Sequence, residues 1–320
     1  MSTKLQQSVR LKSIFLLSRP LNLFIVAITM YIVRYVILAD ILEKSGVGTL
    51  GLNDLHFSML VLSALLITAG GNIINDYFDV KVDRINKPEK VIVGKSVNRK
   101  VAILMHQGMN GIAFALLIWI SYQNSFWQLL LLPSAIMLLL WWYSPVFKKR
   151  PLIGNILVAF CTAAVPVFAA LTDLQLLRTT LSNSWWNGMT VYYYAWLWVL
   201  AISGFAFVLT MIREAVKDAQ DEPGDRTEHY QTLPIVWGIQ RTKRYVMSWI
   251  VVFFLMVALC ATRIVTFTDM IWLMACLVFP MLLAMYFVVR ARAAQDFSTV
   301  SRWIKIVMIG GLVLLIALLM

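Results

Sequence analysis

The chain has 320 residues, 60% of them hydrophobic and only 14% charged, with a net charge of +12. A soluble domain usually carries about a quarter charged residues, so the composition excludes an ordinary soluble globule and makes the basic excess a matter of membrane topology rather than nucleic-acid binding. Cys161, Cys260 and Cys276 all fall in apolar stretches, which excludes a disulfide framework or a metal cluster and leaves buried packing as their expected role.

Apolar runs of about 18 or more residues read as membrane spans. Nine are expected, at roughly 20–39, 57–75, 101–121, 126–142, 152–172, 191–212, 246–262, 270–289 and 304–320, with the fourth and seventh short. The first run is long enough to cross and no small-residue cleavage site follows it, so no cleavable signal is expected. Arg34 lies mid-span, either lining a cavity or snorkelling outward with Asp40. The short YQNS turn pairs the third and fourth spans as a hairpin, and the Trp185, Trp186 and Tyr192–Tyr194 cluster reads as an interfacial belt.

Lys and Arg sort by loop. The N-terminal arm and the loops after spans two, four, six and eight hold 24 of the 28. Only Lys44, Arg178 and Arg263 fall on the other side. Because Lys and Arg favour the cytoplasmic side, the expected protein is a multi-pass protein of the cell (inner) membrane. Its N-terminus and basic loops face the cytoplasm, and its C-terminus lies opposite.

Ten of the 16 acidic residues crowd into two of those loops, at about 76–100 and 213–245. The first reads DYFDVKVDR from Asp76 and the second DAQDEPGDR from Asp218. Both are D-x-x-D-x-x-x-D-R, offset by 142 residues, each at the end of a span. On a helix, positions i, i+3 and i+7 share a face, so Asp76, Asp79 and Asp83, and likewise Asp218 and Asp221, converge. Pro223 and Gly224 are expected to end the second helix and leave Asp225 on a loop.

Carboxylates gathered this way need a cation. Mg²⁺ takes oxygen ligands, typically one or two carboxylates plus substrate phosphates. Arg84, Lys87, Lys217 and Arg226 stand ready for phosphate oxygens. A diphosphate at the mouth of an apolar bundle points to a lipid-linked substrate, with the metal neutralising the leaving group. The apolar interior shields an allylic cation. Transfer of a prenyl group is the reaction class that results.

The chain resembles the UbiA-type intramembrane prenyltransferases. The resemblance rests on SRPLN (18–22), NDYFDVKVDRINKP (75–88), YSPVFKKRPLIGN (143–155) and DAQDEPGDR followed by TLPIVWG (218–238), in that order over most of the chain. It implies a single all-α membrane domain over residues 1–320, a nine-helix bundle around a central cavity. It also implies Mg²⁺ held by Asp76, Asp79, Asp83, Asp218, Asp221 and Asp225, with Asn75 beside them. Asn22 matches a polar cavity position, Asn72 either faces the site or packs beside Gly70 and Gly71, and Tyr143 either orients substrate or is an interfacial aromatic. One departure stands out: many members follow the first motif with Arg-Pro, where this chain has Lys90 and Val91. A lysine is a point charge and loses the bidentate grip of guanidinium. The GKS at 94–96 lacks the upstream glycine of a phosphate-binding loop, since that position is Glu89.

The expected partners are a prenyl diphosphate donor, a lipophilic or lipid-phosphate acceptor and the bilayer, with no nucleic acid. RPLNLFIVAITMYIVRY and the INKPEK loop resemble the branch that geranylgeranylates geranylgeranylglycerol phosphate, with hydroxybenzoate- or naphthoate-type aromatic acceptors as the alternative. A secondary transporter is the rival of another class, but transporters place coupling sites near the midplane, not at helix ends.

Overall fold

The computed structural model describes residues 12–46, 50–181, 185–262 and 266–319; for residues 90, 180, 181, 185–189, 318 and 319 it describes the backbone alone. Lys4, Arg10 and Arg263 therefore lie outside the described residues, as do the side chains of Lys90, Trp185 and Trp186.

Among the described residues the chain is helical, with one isolated bridge between Val93 and Val97. Nine apolar helices follow in order: α1 (Pro20–Ser45), α2 (Asp54–Asn86), α3 (Arg99–Gln123), α4 (Trp127–Tyr143), α5 (Ile153–Leu181), α6 (Trp185–Thr227), α7 (Ile239–Ala261), α8 (Phe267–Arg290) and α9 (Phe297–Leu319). Eight contain stretches long and apolar enough to cross a membrane, and α4 is the shorter one. The expected fourth span was short for that reason. The seventh is not: α7 starts at Ile239, directly after Gly238 at φ +76°.

Local sequence fixes the ends. Pro20 opens α1, where a missing N–H costs nothing. Asn53 caps α2 by accepting from His56 N at 2.7 Å, and Asn98 caps α3 by accepting from Lys100 N at 2.9 Å. Large apolar side chains such as Phe24, Leu104, Leu197, Leu255 and Phe267 stay exposed on the bundle surface. In water that surface would aggregate; against lipid it is matched. Cys260, expected as buried packing, is also exposed. Inside, one apolar cluster joins α1–α5 and the early part of α6, and a second joins the later part of α6 to α7–α9.

The two longest helices overrun the bilayer. At 1.5 Å per residue, the 33 residues of α2 extend about 50 Å and the 43 of α6 about 65 Å. The stretches expected as Asp-rich loops from 76 and from 213 are therefore helical as far as Asn86 and Thr227.

Arg34 follows neither sequence reading. It is fully buried, with its Nε 3.2 Å from Asp173 Oδ2 on α5 and its Nη1 3.6 Å from Asp54 Oδ1. It also donates to Leu52 O and lies 4.3 Å over the Phe57 ring. Asp40 pairs instead with Lys44, at 2.9 Å. The Arg34 side chain leaves α1 from a π-helical turn, Ile32–Leu38, and fastens α1 to α5 and to the chain before α2.

Candidate active site

Overrunning helices bring the carboxylates inward rather than into solvent. On α2, Asp79 is 4% exposed and Asn75 7%, while Asp76 and Asp83 are half-buried. On α6, Asp225 is 4% exposed, and Asp218 and Asp221 are half-buried. Asp225 thus corrects the sequence reading. Pro223 sits inside α6, and the helix continues through Gly224 and Asp225 to Thr227.

A contact across the site holds this stretch. Proline removes a backbone donor and disturbs the carbonyl one turn earlier. Asn86, at the last turn of α2, binds the backbone on either side of Pro223: its Nδ2 donates to Asp221 O at 2.9 Å, and its Oδ1 accepts from Gly224 N at 2.9 Å. A Cβ on Gly224 would lie 2.5 Å from Asn86 Nδ2. Only glycine leaves room for that amide, so the Pro-Gly pair is a docking point between the clusters rather than a helix stop.

Basic and amide side chains complete the arrangement. Arg19, just before α1, pairs with Asp76 Oδ1. Lys148, between α4 and α5, pairs with Asp79 Oδ2, and Asn75 Nδ2 donates to the same oxygen at 2.7 Å. Asn155 on α5 donates to Asp218 Oδ2 at 3.0 Å, and Lys87 donates to Asp221 Oδ1 at 2.7 Å. Lys148 is also within electrostatic reach of Asp225, so it stands between the two clusters. Burial, the largest influence, lowers the Lys148 pKa, but Asp79, Tyr143 and Asp225 together outweigh it and the net direction is upward. Glu214, one turn before Asp218, is 5% exposed beside Arg213 at 2.7 Å and Lys217 at 4.0 Å. Tyr230, over which Lys149 Nζ lies at 5.3 Å, has its hydroxyl pushed up to about 12, chiefly by burial.

The backbone around the site is strained. Four described non-glycine residues have positive φ, and three of them, Arg19 (56°), Leu152 (65°) and His229 (57°), lie in the segments that surround the carboxylates. Left-handed backbone disfavours side chains with a Cβ and clusters where function demands a direction. At Arg19 it sets the guanidinium that reaches Asp76.

Other expected residues divide. Asn72 donates to Ser18 O at 2.9 Å, so it anchors the segment carrying Arg19. Asn22 follows one turn into α1 and is half-buried. Tyr143 is half-buried above a small apolar cavity that it lines with Leu139, Leu140, Leu157, Val158 and Cys161. Lys217 is half-buried on the site face. Arg84 and Arg226 are exposed, and Arg226 holds Glu222 on its own helix at 2.5 Å; the structure does not bring these two to the carboxylates. The GKS turn is no phosphate cradle, because Lys95 N, Ser96 N and Val97 N all donate to Ile92 O. Sequence reasoning passed over Arg19, Asn86, Lys148, Asn155 and Glu214 as site residues, although Arg19, Lys148 and Asn155 stand within the quoted SRPLN and YSPVFKKRPLIGN stretches.

The donor set decides whether Mg²⁺ fits. Among the described residues no three acidic side chains approach closely enough to enclose an ion. Yet Asp79 Oδ1 is buried without a hydrogen-bond partner, and such an oxygen calls for a cation. All donors are hard oxygens, and a site that supplies one or two carboxylates per ion, with phosphates completing the shell, is the usual Mg²⁺ arrangement. The residues fit the ion.

A family model of the UbiA prenyltransferase family matches residues 41–309. The chain belongs to that family. Digeranylgeranylglyceryl phosphate synthase of Methanothermobacter thermautotrophicus is 34% identical over 190 residues, covering 58% of this chain and 57% of that protein. The enzyme of the same name from Methanoregula boonei is 31% identical over 231 residues, covering 72% of this chain and 70% of that one. The chain thus spans less than two thirds of the length of the first of these relatives. A solved structure from work on digeranylgeranylglyceryl phosphate synthase in membranes matches with TM-score 0.63 at 22% identity, covering 96% of this chain and 99% of that one. A UbiA homologue from Archaeoglobus fulgidus, bound to GPP and Mg²⁺, matches with TM-score 0.57 at 15% identity, covering 95% and 99%. At those identities the two structures carry the fold: this UbiA-family chain is a multi-pass helical membrane bundle.

Proposed function

We propose that this UbiA-family protein transfers a prenyl group from its diphosphate to a prenylated glycerol phosphate, as the names of its relatives indicate for them. The observation that carries the reading is the Asn86 bridge. It ties the Asp76–Asp83 turn of α2 to the Asp218–Asp225 turn of α6 at one end of an apolar bundle. Asp76, Asp79, Asp83, Asp218, Asp221 and Asp225 would hold Mg²⁺. When bound, the ion neutralises diphosphate charge and so assists departure of the leaving group.

The chain's own residues do the rest. Arg19, Lys87 and Lys148 already stand beside the carboxylates, so they are placed to donate charge-assisted hydrogen bonds to a diphosphate seated between the clusters. Lys217 adds charge on the α6 side. The apolar side chains that pack around Tyr143 are proposed to flank the allylic centre and keep water from it. The C–O bond to the diphosphate breaks with its electron pair leaving on the diphosphate; the acceptor hydroxyl oxygen forms the new C–O bond and releases its proton. The carboxylate end is proposed to face the cytoplasm.

Purified protein with Mg²⁺, geranylgeranyl diphosphate and geranylgeranylglycerol phosphate, read by mass detection of the diether product, tests the proposal. Product is expected, falling on the order of 100-fold or more in Asp76→Ala and in Asp218→Ala. Exclusive prenylation of hydroxybenzoate or naphthoate would overturn the acceptor. Full activity in both variants would overturn the site.

A further inference from the structure

The end of the bundle opposite the carboxylates holds a second cavity, of about 440 Å³, between α1 and the first turns of α6. Ile37, Asp40, Ile41 and Lys44 face it from α1, and Tyr194 and Trp198 from α6. Its size falls within the roughly 300–1,000 Å³ of ligand pockets, and an apolar lining with a few polar groups is their usual makeup. From Pro20 to Asp40 is 20 residues of helix, roughly 30 Å, so this cavity is no part of the diphosphate site.

Its chemistry is graded along the membrane normal. Ile37 begins the wall, Asp40 and Ile41 lie a turn further on, and Lys44 stands at the helix end, where lipid headgroups sit. Lys44 Nζ is 2.9 Å from Asp40 Oδ1, with the two side chains 71% and 26% exposed. An exposed i,i+4 pair is worth little, so it opens readily for a ligand that replaces both partners. Tyr194 and Trp198 form an aromatic corner, with centroids 6.4 Å apart and planes at 84°.

We propose that this cavity binds the headgroup of a zwitterionic phospholipid. The phosphate pairs with Lys44, the ammonium pairs with Asp40 against the Tyr194 ring face, and the first acyl methylenes lie on Val191 and Trp198. A purely anionic headgroup satisfies Lys44 but meets Asp40. A purely cationic one meets the reverse conflict. Only a ligand with both charges suits a rim that carries both.

Native mass spectrometry of the purified protein, titrated with short-chain phosphatidylethanolamine, phosphatidylglycerol of the same chains, and inorganic phosphate, tests the proposal. One phosphatidylethanolamine is expected to be retained at concentrations at least tenfold below phosphatidylglycerol, with no retention of phosphate. Lys44→Gln and Tyr194→Leu are each expected to reduce that preference to less than twofold without lowering the melting temperature. Tyr194 is 49% exposed, so its variant supplies the reading if Lys44→Gln fails to fold. Equal retention of the two lipids, unchanged preference in the variants, or retention of phosphate alone would each overturn the assignment.

Discussion

Lys148 and Asp79 are held by each other, with side chains only 16% and 5% exposed. Removing one partner of a buried ion pair strands the other, at a cost of about 3–5 kcal/mol. Lys148→Met is therefore expected to lower the melting temperature in detergent and to raise KM for the prenyl diphosphate; a variant as stable as wild type would show that the pair is not buried in solution. The pH dependence has a definite sign. Because the folded pKa is raised, the lysine's contribution is fully present below its unfolded value of about 10.4 and is lost as pH rises through the folded value. The stability gap between wild type and Lys148→Met should narrow above about pH 10.4. Asn86 is a neutral residue with an equally long reach. Asn86→Ala leaves Gly224 N without its acceptor, at a cost of about 1–3 kcal/mol. Thermal unfolding should show that loss, together with weaker diphosphate binding, whereas Asn86→Asp keeps the acceptor for Gly224 N and should recover part of the stability.

Helices set what the sequence made legible. Nine spans and the matched carboxylate spacing could be read because both are periodic along one chain. The partners could not: Asn86 and Gly224 are 138 residues apart, Lys148 and Asp79 are 69, and Arg19 and Asp76 are 57. Pro223 shows how a local rule is overridden. By itself Pro-Gly stops a helix, but a side chain from another helix holds the backbone on either side of Pro223, and α6 runs on. Replacing Pro223 by alanine restores a helical N–H and removes a penalty of about 3 kcal/mol. That variant is expected to unfold at higher temperature yet turn over more slowly, since the altered backbone shifts Gly224 against Asn86 and with it the neighbouring Asp225. Equal activity would show that the Pro-Gly pair does not position the carboxylate. Arg34 was legible as an anomaly but not as a partner of Asp173, 139 residues on. Arg34→Met alone should cost about 3–5 kcal/mol by leaving Asp173 buried and unpaired, while Arg34→Met with Asp173→Leu should recover most of it. Denaturation of the two variants side by side separates a structural fastener from a group that the bundle needs charged.

Over the whole molecule, charge and function share one axis. Lys81, Lys87, Lys148 and Lys217 lie at the end that carries the carboxylates, and Lys44 and Arg178 at the other. The basic residues that orient the bundle are thus partly the ones that serve the anionic substrate, Lys87 and Lys148 being already engaged with Asp221 and Asp79. If orientation follows from that asymmetry, the two ends face opposite compartments, and the carboxylate end faces the side where the cell keeps soluble prenyl diphosphates. Single cysteines at Lys44 and at Lys81, both exposed, measure it in a background with Cys161, Cys260 and Cys276 replaced by serine. In intact cells a membrane-impermeant maleimide should label Lys44→Cys and spare Lys81→Cys, and permeabilisation should expose the second. The reverse pattern would place the carboxylates outside, away from any cytoplasmic donor pool, and would make a prenyl transfer fed from the cytoplasm untenable even if every side chain stands where the bundle puts it.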